Sequence, residues 1–379
     1  MRRTPMKLAA VAAVGVLALS ACGERPTEGG SGSGSGSNEA GSEPSELASA
    51  SVEPLPEGQF PDFKACMVSD SGGFDDKSFN QTSRAGLTEV EDKLGIQAAT
   101  IESNSDSEYD SNVRRLVNQG CDEITTVGYK LGEATQKAAE ANPKVDFAIV
   151  DFAYLNDAGK NVAPKNVKGL TFATAEPSYL AGYLAASQSE SGVVGTFGGA
   201  QIPTVTIFMD GFVQGVERYN QDNDAQVQVL GWDPEAQEGS FTNDFENKSR
   251  GQSIANTLIQ QGADVIFPVA GPAGLGGLQA AKDRDARAIW VDTDGCESAA
   301  EFCDVLLTSV MKGMDVAVRN AIADSITGDF TNEPYEGTLE NGGVGLAPYH
   351  EFDGSIDQEV KDKIEQMKSD FISGELTLE

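Results

Sequence analysis

The feature that most constrains this chain is a repeated alternation of short apolar, β-branched runs with amphipathic stretches. Runs at Phe63 to Val68, Ala98 to Glu102, Glu123 to Val127, Phe147 to Val150 and Gly169 to Phe172 are separated by helix-like segments such as Ser83 to Leu94 and Asn112 to Gln119. A second series follows at Val193 to Phe197, Val227 to Leu230, Val265 to Val269 and Ala288 to Val291. It is interleaved with helical patterns near Ser178 to Ser187, Val205 to Tyr219, Ser253 to Gln261 and Ala273 to Lys282. Such alternation predicts parallel strands joined by helical crossovers, with both sheet faces covered. The fold class is therefore α/β, in two doubly wound lobes: an N-terminal lobe over 59–175 and a C-terminal lobe over 176–304.

The elements left over after two complete halves are a strand-like run at Val305 to Thr308, a helix from about Ser309 to Ile326 and a charged terminal helix from Asp357 to Ile372. They predict a return to the first lobe over 305–330 and a crossing segment with its terminal helix over 331–379. Two lobes joined by several crossings make a hinged clamp, with a ligand between the C-terminal ends of the strands.

The N-terminus reads as an address. Arg2, Arg3 and Lys7 precede an apolar run from Leu8 to Leu19, too short to span a bilayer stably. The junction Leu19-Ser20-Ala21-Cys22 resembles the bacterial lipobox, in which the Cys carries the lipid after cleavage. Residues 1–21 are thus a predicted signal peptide, Cys22 the lipidation site, and 22–58 a flexible linker containing the Gly/Ser run Gly30 to Ser37. The expected location is extracytoplasmic, anchored to the bacterial cell membrane.

Charge and the rarer residues narrow the function. With 27 Lys+Arg against 59 Asp+Glu, a formal charge of −32, the chain lacks the basic face that nucleic acid requires. Its single histidine, His350, removes Ser/His and Cys/His triads and multi-His metal centres. Beyond Cys22 there are four cysteines, Cys66, Cys121, Cys296 and Cys303, an even number suited to an oxidising compartment. Three connectivities are open. Cys296 and Cys303 flank a short polar segment that a bridge can close, which leaves Cys66 and Cys121 at the edges of two predicted strands. Zinc is the competing use, but C-x-x-C spacing is absent.

The first strand runs into Ser69-Asp70-Ser71-Gly72-Gly73-Phe74-Asp75-Asp76-Lys77-Ser78-Phe79-Asn80-Gln81, which puts backbone amides and Asp70 at the predicted cleft. Further strand ends carry Phe147-Ala148-Ile149-Val150-Asp151, Asp264-Val265-Ile266-Phe267-Pro268-Val269-Ala270-Gly271, Val291-Asp292-Thr293-Asp294 and Thr308-Ser309-Val310-Met311-Lys312, and a helix carries Glu176-Pro177-Ser178-Tyr179-Leu180-Ala181-Gly182-Tyr183-Leu184-Ala185. In this order, over about residues 62–375, the motifs resemble those of the basic membrane protein family of lipoproteins, the PnrA-like substrate-binding components of nucleoside ABC transporters.

That resemblance implies a type I periplasmic-binding-protein fold closing on a purine nucleoside. It implies that Phe79 and Phe208 stack on the base, that Asp70 and Asp151 bond its edge, and that Asp292 and Lys312 take the ribose hydroxyls. Asn80 and Gly271 complete the implied ligand set. Where the family has Gln after the Asp292 to Asp294 motif, this chain has Gly295 and a Cys-bounded loop. The implied partners are an ABC permease and an ATPase, and the chain is expected to be a monomer without cofactor, metal or catalytic activity.

The residues support this ligand class independently, because stacking rings and carboxylate acceptors match flat faces, edge donors and vicinal hydroxyls. Taken singly, Phe79 and Phe208 fit a core, Asp151, Asp292 and Asp294 fit caps or turns, and Lys312 falls near a predicted helix start, where a cation is unfavourable. The same clamp on riboflavin, a sugar or an autoinducer is one alternative. Another is a calcium-dependent nucleoside hydrolase with a D-x-D-x-x-x-D-D cluster; aligned on Asp75 and Asp76, it meets Ser69 and Ser71 at the other two positions.

Overall fold

The computed structural model describes residues 54–378; the signal segment 1–21, Cys22 and the linker as far as residue 53 lie outside the described residues. The first lobe contains β1 (Lys64–Ser69), α1 (Phe79–Leu94), β2 (Gln97–Ile101), α2 (Tyr109–Asn118), β3 (Glu123–Val127), α3 (Gly132–Ala141), β4 (Asp146–Val150) and β5 (Val167–Phe172). The second contains α4 (Ala175–Gln188), β6 (Val193–Gly198), α5 (Pro203–Asn223), β7 (Gln228–Leu230), a small hairpin of β8 (Trp232–Asp233) and β9 (Glu238–Gly239), α6 (Lys248–Gln260), β10 (Val265–Val269), α7 (Pro272–Asp283), β11 (Arg287–Asp292), α8 (Gly295–Ser298) and β12 (Leu306–Lys312). The chain then crosses through α9 (Met314–Thr327), β13 (Tyr335–Gly337), β14 (Val344–Leu346) and α10 (Gln358–Ser373).

Both lobes repeat one topology. The first sheet has the order β13-β5-β4-β3-β1-β2 and the second β14-β12-β11-β10-β6-β7, so β1, β3 and β4 correspond to β6, β10 and β11. All pairings in these two sheets are parallel except β12 with β14. Strands buried on both faces explain the near-continuous apolar runs of β4 and β10, whose residues are almost all buried. In α1, Leu87, Val90 and Leu94 recur at helical spacing on the buried face, and Gly95 ends the helix in the left-handed region at φ 64°. Gly86 lets α9 approach: a Cβ there would lie 2.2 Å from the carbonyl oxygen of Asp315.

The return to the first lobe differs from the sequence expectation. Residues 306–312 form a strand paired with β11 in the second sheet, all seven of them buried. The expected crossing at 305 and helix from Ser309 are corrected: the second lobe extends through Lys312, and the crossing begins at Gly313. The reason is physical, because Leu-Leu-Thr-Ser-Val-Met offers a fully buried strand whose ladder partner already lies in the second sheet. After it α9 packs on α1 and β13 joins β5 in the first sheet, whereas β14 joins β12 and α10 packs on α4. Lys312 therefore ends a strand.

The structure pairs Cys66 with Cys121 and Cys296 with Cys303, at Cα separations of 6.0 and 4.6 Å. The first bridge ties β1 to the turn before its neighbour β3. The second closes the loop that follows β11. Among the described residues, no helix is long and apolar enough to cross a membrane.

Candidate functional site

The C-terminal strand ends of both lobes face one cavity, the place where ligands bind in open α/β sheets. From the first lobe come Asp70 after β1, Gly128 and Tyr129 after β3, Asp151 after β4, and Phe79 and Asn80 from the first turn of α1. From the second come Phe208 of α5, Gly271 after β10, Asp292 ending β11 and Lys312 ending β12. All eight residues singled out from the sequence as ligand contacts thus line the same space.

Asp151 and Asp292 occupy equivalent places at the ends of β4 and β11, and both are left-handed, with φ of 64° and 71°. Asp is one of the few L-residues that visits this region readily, and here the turn aims both carboxylates into the cleft. They are drawn to one cation. Lys312 Nζ donates to Asp151 Oδ2 at 2.7 Å and lies 3.7 Å from Asp292 Oδ1, all three side chains being at least nine-tenths buried. Its ammonium also stands 5.1 Å from the ring centre of Phe79, 5.0 Å from that of Phe208 and 5.9 Å from that of Phe172. Rings from opposite lobes therefore meet around one point.

Burial pushes the Asp292 carboxyl up to about 6, with the Lys312 ammonium opposing, the Asp151 carboxylate adding, and the Ser78 hydroxyl opposing. Ser78 Oγ donates to Asp292 Oδ2 at 3.0 Å across the lobes. Two more bonds hold the lobes together: Gly72 N–H donates to Glu246 at 3.1 Å, and the Trp290 indole N–H donates to the carbonyl of Lys77 at 3.2 Å.

Asp76 has a structural task. Its carboxylate accepts from the backbone amides of Ser78, Asn80 and Gln81 at 3.0, 2.8 and 3.0 Å, capping α1. Asp75 is exposed and pairs with Lys77 at 2.8 Å. The two acids that would align with a calcium cage thus diverge, one onto helix amides and the other into solvent. A further group of potential metal ligands, Asp294, Cys296 and His350, is already committed: Cys296 is in its disulfide, and Asp294 bonds His350 at 2.7 Å.

Several cavity residues were not foreseen. Tyr129 follows Gly128 at the end of β3, where the strand-end rule points, and is braced edge-on by Phe152 at 5.3 Å, itself packed on Tyr154 at 4.8 Å. Phe245 and Ile202 sit in loops of the second lobe whose composition carries no such signal.

Residues 63–377 match the family model described as ABC transporter substrate-binding protein PnrA-like. The chain is 32% identical over 334 residues to the CD4+ T-cell-stimulating antigen of Listeria monocytogenes serovar 1/2a, covering 83% of this chain and 87% of that one. It is 31% identical over 340 residues to the ABC transporter nucleoside-binding protein BmpA of Lactococcus lactis subsp. cremoris, covering 84% and 89%. A crystal structure of an ABC transporter solute-binding protein from Aeropyrum pernix K1 matches with a TM-score of 0.73 at 24% identity, over 83% of this chain and 92% of that chain. The shared architecture is the type I periplasmic-binding fold.

Proposed function

The chain belongs to the PnrA-like family of ABC transporter substrate-binding proteins, and from that premise we propose that it is a non-catalytic, lipid-anchored extracytoplasmic receptor for a purine nucleoside. The observation that carries this reading is the convergence of Phe79 and Phe208, from opposite lobes, on the ammonium that also meets Asp151 and Asp292. A base lying against these rings and a ribose against the carboxylates use the site's two kinds of surface at once. Each stacking contact is worth about 1–3 kcal/mol. Asp70 and Asp151 bond the base edge, Asn80 and Gly271 complete that wall, and Asp292 with Lys312 takes the ribose diol.

A phosphate would meet four acidic side chains, Asp70, Asp76, Asp151 and Asp292, against the single ammonium of Lys312 among the cavity residues, so the ligand is the unphosphorylated nucleoside. The family assignment supports delivery to a separate permease driven by an ATPase, with the receptor monomeric and tethered through Cys22 and its linker. The nucleoside-binding relative from Lactococcus supports the ligand class.

Native mass spectrometry of the protein as purified tests the reading, since a closed clamp retains its ligand. A co-purifying nucleoside mass is expected; a flavin or a sugar there would replace the nucleoside. Incubation with adenosine, guanosine and inosine is expected to leave all three intact, and catalytic release of free base would overturn the assignment.

A further inference from the structure

At the Asp70 corner of the cleft, hydrogen-bonding capacity is left unused. Asn80 Nδ2 donates to Asp70 Oδ1 at 2.9 Å and also to Asp76 Oδ2 at 3.3 Å. This fixes the amide's orientation, because a flip would set its oxygen against two carboxylates. Asn80 Oδ1 is then buried without a donor, in a residue 1% exposed that lines the cavity. A buried acceptor without a partner is costly, and an N–H on a ligand in the cavity is the group that satisfies it. Beside it, Asp70 Oδ2 abuts Gly128, where a Cβ would come within 2.5 Å of that oxygen, so the bare glycine is what gives the carboxyl its place.

The charges around Asp70 are mostly of its own sign. Asp76 faces it from the same loop, Asp151 from the end of β4, and Lys130 from beyond β3, while the Tyr109 hydroxyl from α2, kept neutral by burial, adds no charge. The second lobe presents Gly271, Pro272 and Phe245 to the cavity, while Glu246 holds the neighbouring Gly72 amide. Each nearby cation is already engaged: Lys130 pairs with Asp106 at 3.0 Å and Lys312 with Asp151. Burial, then the carboxylates of Asp76 and Asp151, push Asp70 up to about 8 against the pull of the Asn80 amide.

We propose that Asp70 and Asn80 together read the purine edge with one proton as the switch, Asp70 being a carboxylic acid when the cleft closes on adenosine and a carboxylate when it closes on guanosine. The inference rests on the nucleoside reading above. With the proton on Oδ2, the corner offers a donor beside the Asn80 acceptor. That is the complement of the adenine edge, where a ring-nitrogen acceptor adjoins the 6-amino donor. Without the proton the corner offers two acceptors, the complement of the N1–H and 2-amino donors of guanine. The proton comes from solvent on closure and returns on release.

Titration calorimetry of the intact protein at pH 7, in two buffers of different protonation enthalpy, counts the protons taken up with each nucleoside. Adenosine is expected to take up close to one proton more than guanosine, a difference that cancels any titration of Asp76 or Asp292 common to both. Between pH 6 and pH 8, where neither base itself changes protonation appreciably, the affinity for adenosine relative to guanosine is expected to fall by about tenfold per pH unit. In Asp70→Asn the excess uptake is expected to vanish. Equal uptake for the two nucleosides in the parent, or an excess that persists in Asp70→Asn, overturns the proposal while leaving the nucleoside reading in place. Failure of both nucleosides to bind the parent at any pH removes that reading and this proposal with it.

Discussion

The two lobes share a strand order and a left-handed aspartate at the same strand end, yet they bring different charge to the cleft. From the first come Asp70, Asp76 and Asp151; the helix amides of α1 satisfy Asp76, while the first lobe's own nearby cation, Lys130, is paired with Asp106. From the second come Asp292 and Lys312, whose ammonium reaches across to Asp151. The contrast extends to the far end of the sheets. Glu123 opens β3, paired opposite Ala65 of β1, where Val265 opens β10, paired opposite Val194 of β6. The first lobe therefore carries buried acid that its own nearby cation does not neutralise, and the second lobe's Lys312 pairs with one of these groups, Asp151. Asp151 and Lys312, which join the lobes here, are also among the residues proposed to hold the ligand.

Removing the second lobe's cation breaks this relation most severely. Lys312→Met leaves Asp151 and Asp292 buried without their cation, a situation that typically costs about 3–5 kcal/mol. Nucleoside affinity measured by calorimetry is expected to fall by about a hundredfold or more, and adding Asp151→Asn is expected to restore part of the loss.

The disulfides compare the lobes directly, since their sequence separations are 55 and 7 residues. In the chain-entropy model, removing the Cys66–Cys121 bridge destabilises by about 4 kcal/mol and removing Cys296–Cys303 by about 2–3 kcal/mol. Urea unfolding of the two paired Cys→Ala variants measures the difference, and equal losses would contradict it.

Either Phe79→Ala or Phe208→Ala is expected to weaken nucleoside binding by about 1–3 kcal/mol. They should differ in stability, because Phe208 is 2% exposed within the core whereas Phe79 is only partly buried. Thermal unfolding is expected to show the larger drop for Phe208→Ala.

Glu123 sharpens the comparison through pH. Burial pushes its carboxyl up to about 8, against the Thr125 hydroxyl that donates to it at 2.7 Å. The folded chain thus holds this proton more tightly than the unfolded chain does, and stability falls as pH rises from the ordinary carboxylate range to about 8. Glu123→Gln is expected to remove up to about 1.4 kcal/mol per pH unit from that slope. Unfolding free energies at pH 5, 6, 7 and 8 decide it, and an unchanged slope would count against the assignment.

The doubly wound lobes were legible because parallel strands covered on both faces leave unmistakable apolar runs between amphipathic helices. Residues at strand ends were legible for the same reason: once β1, β4 and β11 are placed, Asp70, Asp151 and Asp292 can only follow them. The crossing was harder. Leu306 to Lys312 runs into Met314 to Thr327 with a single glycine between, so the second half of the strand reads as the start of the helix. The strands β8, β9, β13 and β14, of two or three residues each, are too short for alternation to register. The bond from Ser78 to Asp292, and the place of Phe245 at the cavity, arise only when the lobes meet and have no local signature.

In the proposed function one nucleoside is held by both lobes, its base against the Phe79 side and its ribose against Asp292. Titration calorimetry of inosine and of free hypoxanthine into the parent and into Asp292→Ala tests it most directly. The substitution is expected to weaken inosine by at least about tenfold, while hypoxanthine, which lacks the sugar, loses much less. Equal affinities of parent and variant for inosine, with the variant folded, would contradict it.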